Sequence, residues 1–195
     1  MLNSNCIDLS SLAVEDQPFP HFCSASALQN DIDRELYSWL VNTEHWKLVE
    51  TDFYEQHEFS LLSVQLPKHL ECLISRKTIE FIEAKLKMAF KVDGFNLVGV
   101  VAHKLINEQH IGIHNDFIKG DETHRLVIHL NPDWNEEHGG FLMLFNSRNA
   151  EDISTVISPL NNTAFGFEIS GRSHHAVSRI YGFSRYTVVY TFQKR

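Results

Sequence analysis

Two stretches in the front half of the chain repeat apolar residues at three- and four-residue steps. Leu28, Ile32, Leu36, Trp39 and Leu40 form the first stripe, which predicts a helix from a cap at Ser24 or Ser26 to about Asn42. Ile79, Ile82, Leu86 and Phe90 form the second, from about Ser75 to Phe90, with Lys and Glu on the opposite face. Both read as scaffold helices that turn one face to a core. From Phe95 onward the period falls to two. The runs FNLVGVVAHKL, HIGIH, RLVIHL, GGFLMLF, STVIS, NTAFGF and YTVVYTF are short and alternating or rich in β-branched residues, as strands are. Turn signals separate them at Asn131-Pro132-Asp133, His138-Gly139-Gly140, Asn161-Asn162, Gly171 and Gly182. So many strands suggest a barrel or sandwich, and the expected architecture is α+β, a jelly-roll-like barrel buttressed by the N-terminal helices. One domain is expected over 1–195, with 1–92 mainly a helical support region and 93–195 the jelly-roll core. Between helix and barrel, Asp52 to Phe59 is aromatic and polar without a period. It reads as a loop or short edge strand near the mouth of a site, where it either contacts substrate or packs helix against barrel.

Composition narrows the partners. No apolar stretch reaches the roughly 18 to 20 residues of a membrane-spanning helix, and the first residues lack a basic segment leading into an apolar one, so a cytoplasmic protein is expected. Seventeen basic against 25 acidic residues give a formal charge of -8, unsegregated along the chain, which would repel a phosphate backbone and argues against nucleic acid. Cys6, Cys23 and Cys72 are too far apart and too few for a disulfide framework or a thiolate metal site. Histidine is the exception. Five of the twelve lie between His103 and His129, and His174 and His175 are adjacent, a density that directs attention to metal binding.

In His110-Ile111-Gly112-Ile113-His114-Asn115-Asp116 the isoleucines alternate with the other positions, so an extended strand would send His114 and Asp116 to one face. One imidazole and one carboxylate can then grip a single ion, and His175 can supply a third ligand from another strand. Two histidines and one carboxylate on one face of an octahedron leave three positions open, the arrangement that suits non-haem Fe(II). On its own a His-X-Asp tripeptide recurs by chance in many proteins, and of His174 and His175 only one can face a metal.

Further motifs accompany the triplet. Arg125-Leu126-Val127-Ile128-His129-Leu130-Asn131 runs to the turn Gly139-Gly140-Phe141, and His175-Ala176-Val177 is followed ten residues later by Arg185 and then Thr187. In these features the chain resembles the prolyl-4-hydroxylase-like branch of the 2-oxoglutarate and Fe(II)-dependent dioxygenases, from about Pro18 to the C-terminus and most strongly over Ile111 to Phe192. The resemblance implies a cupin-like double-stranded β-helix. It implies His114, Asp116 and His175 as metal ligands and catalytic centre, leaving His174 outside the barrel or at its mouth and His110 as a pocket or surface residue. It also implies that Arg185, with Thr187, binds the far carboxylate of 2-oxoglutarate; a guanidinium suits that charge-assisted grip. A turn at Gly182 is expected to bring the strand of Arg185 back beside that of His175. Where relatives often carry a tyrosine this chain has His103, which either hydrogen-bonds the co-substrate or is an ordinary satisfied histidine. Arg125 either anchors a substrate carboxylate or makes a structural ion pair. The implied reaction uses Fe(II), 2-oxoglutarate and O2 to hydroxylate an amino acid or a peptide or protein side chain, releasing succinate and CO2. A cupin-like barrel that holds a metal for sensing or binding is the competing reading, and it has no use for Arg185.

Overall fold

In the computed structural model, which describes residues 5–9, 12–29 and 31–195, the chain runs β1 (His21–Ser24), α1 (Ile32–Asn42), β2 (Lys47–Glu50), β3 (Glu55–Ser60), α2 (Arg76–Phe90), β4 (Phe95–Leu105), β5 (Ile111–His114), β6 (His124–His129), β7 (Leu142–Phe145), β8 (Ile153–Ile157), β9 (Thr163–Glu168), β10 (His175–Val177) and β11 (Arg185–Lys194). Seven strands pair in the order β1-β9-β6-β11-β4-β3-β2, and four in the order β5-β10-β7-β8, all antiparallel. The two sheets form the expected jelly roll.

Strand alternation assigns the two faces of the larger sheet. Tyr186, Val188, Tyr190 and Phe192 of β11 point into a core shared with Leu36 and Leu40 of α1 and Ile82 and Leu86 of α2. Arg185, Thr187, Val189 and Thr191 of the same strand point the other way, into a cavity between the sheets. Each fully buried leucine or isoleucine of the helix stripes contributes roughly 1.5–3 kcal/mol by leaving water. A second core, with Phe19, Leu142, Leu144, Phe165, Phe167 and Val177, closes the space between the sheets. The helices therefore stiffen the outer face of the larger sheet and leave its inner face free for chemistry.

Seven strand-like runs in the sequence become strands, and Ser75 caps α2 by accepting from Thr78 N at 3.3 Å. Other expectations shift. The first helix begins at Ile32 rather than at a serine cap, because Ser24 closes β1 and its hydroxyl donates to Ser26 O at 2.7 Å, while Asp31 enters the helix with φ 61° and no side-chain cap. The front region is more than a helical support, since β1, β2 and β3 all belong to the larger sheet. The segment read as a loop or edge strand contains β3, which is hydrogen-bonded on both sides, to β2 and β4. No helix among the described residues is long and apolar enough to cross a membrane.

Candidate metal centre

β5 and β10 run antiparallel with His114 opposite His175, which sets the two imidazole centroids 4.2 Å apart. Asp116 reaches them by a route other than strand alternation. β5 stops at His114, and Asp116 sits two residues on at φ 58°, a left-handed turn that folds its carboxylate back onto the pair. Asn115 fixes this turn. Its side chain accepts from Phe117 N at 3.1 Å, and its carbonyl accepts from Ser173 Oγ at 3.0 Å, tying the turn to the approach of β10. Asp116 Oδ1 then lies 3.3 Å from His114 Nε2, and Asp116 Oδ2 lies 3.3 Å from His175 Nε2.

The protons are arranged for a cation. His114 Nδ1 is 2.9 Å from Gly112 O and His175 Nδ1 is 2.8 Å from Ser173 O, and because a carbonyl can only accept, both Nδ1 atoms carry hydrogen. Each Nε2 is thereby turned toward Asp116, the orientation a second contact gives a metal-binding imidazole. The three ligand atoms lie within 4.8 Å of one another. Burial by itself would raise the Asp116 carboxyl, but His114, His175 and Arg125 outweigh it and hold that group well below the usual carboxylate range. Asp116 is thus an anion wherever a metal would be offered. The donor set of two nitrogens and one carboxylate oxygen fits ferrous iron.

These groups open onto a cavity of about 490 Å³. Arg185, on β11 of the larger sheet, lines it at 5 % exposure. The expected placement beside the ligand strand is therefore corrected: β10 pairs with β5 and β7, and Arg185 enters the cavity from the facing sheet. Its one hydrogen-bond partner is His129 Nδ1, at 3.4 Å; Nε has none, and no carboxylate pairs with it among the described residues. Burial pulls its pKa down to about 10, and burial, helped by the guanidinium beside it, holds His129 far below the ordinary imidazole value. The Gly139-Gly140 turn gives Arg185 its room. A Cβ on Gly140, where φ is +72°, would meet Ile180 Cδ1 at 2.7 Å and Arg185 Cδ at 3.0 Å.

Thr187 lies on the same face of β11, between His103 on β4 and His129 on β6. His103 lines the cavity, 3.7 Å from Glu58 Oε2; burial, with Arg125 and Arg185 nearby, lowers its pKa to about 3 and keeps it neutral. Arg125 Nη1 stands 2.8 Å from Asp116 Oδ2, and its Nη2 contacts Glu122. Burial works against its charge, and Asp116 and Glu122 more than restore it. The ion pair of its second reading is present, and through it Arg125 positions the carboxylate. His174 is not among the cavity-lining residues, and its Nδ1 has no partner. His110 is exposed beside a separate recess.

Sequence reasoning passed over His129 and Glu122. Strand parity could have found the first, because Arg125, Val127 and His129 share a face of β6. Glu122 carries no comparable signal, since it precedes the strand in a turn.

Residues 100–193 match the family model described as the 2OG-Fe(II) oxygenase superfamily. No curated protein sequence matches the chain. Among solved structures, a prolyl-4-hydroxylase from Pseudomonas putida is 17% identical, with 90% of this chain and 92% of that one covered at a TM-score of 0.71. The viral collagen prolyl hydroxylase from Paramecium Bursaria Chlorella virus-1, in a 2-oxoglutarate complex, is 15% identical, with 90% and 96% covered and a TM-score of 0.63. HygX from Streptomyces hygroscopicus, with nickel and 2-oxoglutarate bound, is 8% identical, with 89% and 82% covered and a TM-score of 0.62. At these identities the likeness is one of fold.

Proposed function

We propose, from the match of residues 100–193 to the 2OG-Fe(II) oxygenase superfamily, that the chain hydroxylates a side chain of a peptide, protein or free amino acid, with His114, Asp116 and His175 holding the iron and Arg185 the co-substrate. Its cofactor is Fe(II) and its co-substrates are 2-oxoglutarate and O2. Bound iron supplies the activation of oxygen that yields succinate, CO2 and an oxidised C–H bond.

The chain's own residues do the rest. Gly112 O and Ser173 O hold the two Nε2 atoms toward Asp116, so the ligands are oriented before a metal arrives. Arg125 keeps Asp116 anionic and Thr187 stands beside Arg185 for the far carboxylate of the diacid. Phe167, buried and 5.1 Å from the His175 ring, keeps water from that side of the ligands, and the exposed Phe53 packs 4.7 Å from the His114 ring.

The observation that carries this reading is Arg185. A guanidinium at 5 % exposure with no carboxylate partner is expensive to keep unless a ligand completes it, and a metal-sensing barrel would give it no task. The peptide substrate is supported by the prolyl hydroxylases among the structural neighbours. A cytoplasmic location is part of the same proposal, in keeping with three free thiols.

Anaerobic addition of Fe(II) and 2-oxoglutarate to the purified protein should produce a visible charge-transfer band, and admitting air should release succinate. His175→Ala should remove both, whereas His174→Ala should keep the metal. A band that survives His175→Ala and vanishes in His174→Ala would reassign the ligand; no band and no succinate from the unaltered protein would end the oxygenase reading.

A further inference from the structure

The cavity wall contributed by β3 and the residue before it is made by Tyr54, Gln56, Glu58 and Ser60, alternate residues that face the ligand cluster's cavity. Among the charges that line this space, most already have counterparts. Asp116 and Glu122 both face Arg125. Arg185 answers the far carboxylate of 2-oxoglutarate under the function proposed above, and the metal answers the near one.

Glu58 is left over. Its side chain is 30% exposed, and its one hydrogen bond among the described residues comes from Gln56 Nε2 at 3.0 Å, a neutral donor. His103 is too far for a hydrogen bond, at 3.7 Å, and stays uncharged because burial and the two arginines suppress its protonation. Gln56 is 4% exposed, and its Oε1 has no partner among the described residues. The wall therefore offers one unmatched carboxylate and one unmatched carbonyl oxygen, acceptors both. A cation with several N–H donors is the ligand that satisfies them together.

A second recess shares Tyr54 with this cavity and has the same sign. Glu50, Asp52, Glu55 and Glu108 line it. Arg179 offsets Glu108 at 3.3 Å and Gln109 donates to Glu55 at 3.3 Å, while Glu50 and Asp52 make no ion pair among the described residues. With the overall charge of -8, the surface next to the cavity at Tyr54 is negative.

We propose, resting on the oxygenase reading of the site, that the substrate carries a cationic nitrogen, an amine or guanidinium of the lysine or arginine kind, which Glu58 receives while Gln56 Oε1 accepts a second N–H. Glu58 is thus a specificity-determining residue, and it selects against acidic and aliphatic side chains of similar length.

The test is equilibrium binding followed by turnover. The anaerobic protein with Fe(II) and 2-oxoglutarate is titrated calorimetrically with acetyl-Gly-Gly-X-Gly-Gly-amide peptides in which X is lysine, arginine, norleucine or glutamate, and with free lysine and arginine. A cationic ligand, peptide or free amino acid, should bind about tenfold or more tightly than the norleucine peptide. Glu58→Gln should erase that preference, and Glu58→Lys should turn it toward the glutamate peptide. Equal affinity for the lysine, arginine and norleucine ligands, no binding of any, or a preference unchanged in Glu58→Gln would each overturn the proposal. Should the variants fail to fold, the panel on the unaltered protein still decides. The charge-transfer band is recorded in the same samples before any peptide is added, so loss of the oxygenase reading is told apart from loss of the cationic preference.

Discussion

Arg185 concentrates the chemistry of the site in one side chain. It is buried, and its hydrogen-bond partner is an imidazole kept neutral by burial and, after that, by the guanidinium's charge. Removing a charge-assisted contact of this kind from a bound diacid costs about 1.5–3 kcal/mol, or roughly ten- to 150-fold in affinity. Arg185→Ala is therefore expected to raise the 2-oxoglutarate requirement by at least about tenfold while iron binding persists, as read from succinate release against co-substrate concentration and from Fe(II) titration. An unchanged requirement would strip Arg185 of the role. Its folded stability should not fall with it, since the substitution deletes an unpaired buried charge. Arg185 is singled out by the family resemblance, which places a basic residue about ten positions after the His-Ala-Val histidine. Its placement could not be read that way. Sheet membership depends on which strand pairs with which, and the three-residue β10 leaves too little pattern to show that it joins β5 and β7. Asp116 teaches the same lesson. Alternation along the isoleucines predicts an extended strand through Asp116, whereas β5 ends at His114 and a positive-φ turn brings Asp116 to it, a conformation that the sequence around Asn115 does not announce.

Among the elements, those with long alternating runs were legible and the short ones were not. β4 and β11 pair over ten registered residues and carry the apolar alternation that also predicts them. β1 and β2, four residues each, acquire their identity from β9 and β3 alone. His124 shows how an element junction stores a pH response. It opens β6 at 1% exposure, with Phe90 of α2 at 4.8 Å and Phe95 of β4 at 4.7 Å from its ring, and its Nε2 is unpartnered. Burial, helped by Lys194, lowers its pKa to about 4 from an ordinary 6.5. The folded protein thus binds fewer protons than the unfolded chain between those values. This site's stabilising contribution is complete above pH 6.5 and is lost progressively as pH falls toward 4. His124→Leu keeps an apolar group between the rings and removes the titration. Its thermal midpoint should fall less between pH 7 and pH 5 than that of the unaltered protein, each variant being compared with itself. Parallel acid profiles for the two proteins would show that His124 does not contribute.

At the scale of the whole molecule, the proposed ligand set is divided between the sheets. His114, Asp116 and His175 belong to the four-stranded sheet and the turn beyond β5, whereas Arg185, Thr187, Arg125 and His103 come from the seven-stranded one. The helices pack on the outer face of the larger sheet, so the smaller sheet depends on the inter-sheet core around Phe165 and Phe167 for its attachment. A metal on one sheet whose bound diacid reaches a guanidinium on the other would clamp the two together. Ligands that bind the folded state at about a hundred times their dissociation constant add about 2.7 kcal/mol, which in a domain of this length raises the melting temperature by roughly 5–10 °C. The increment from 2-oxoglutarate should appear when Fe(II) is present under anaerobic conditions and shrink sharply when a chelator removes it, because the near end of the diacid then loses its anchor. In Arg185→Ala the metal's own increment should persist and the further rise from 2-oxoglutarate should largely disappear. Differential scanning measurements of the four combinations, with and without metal and diacid, separate these effects. A diacid increment indifferent to both the metal and Arg185 would mean that it binds somewhere other than between the sheets.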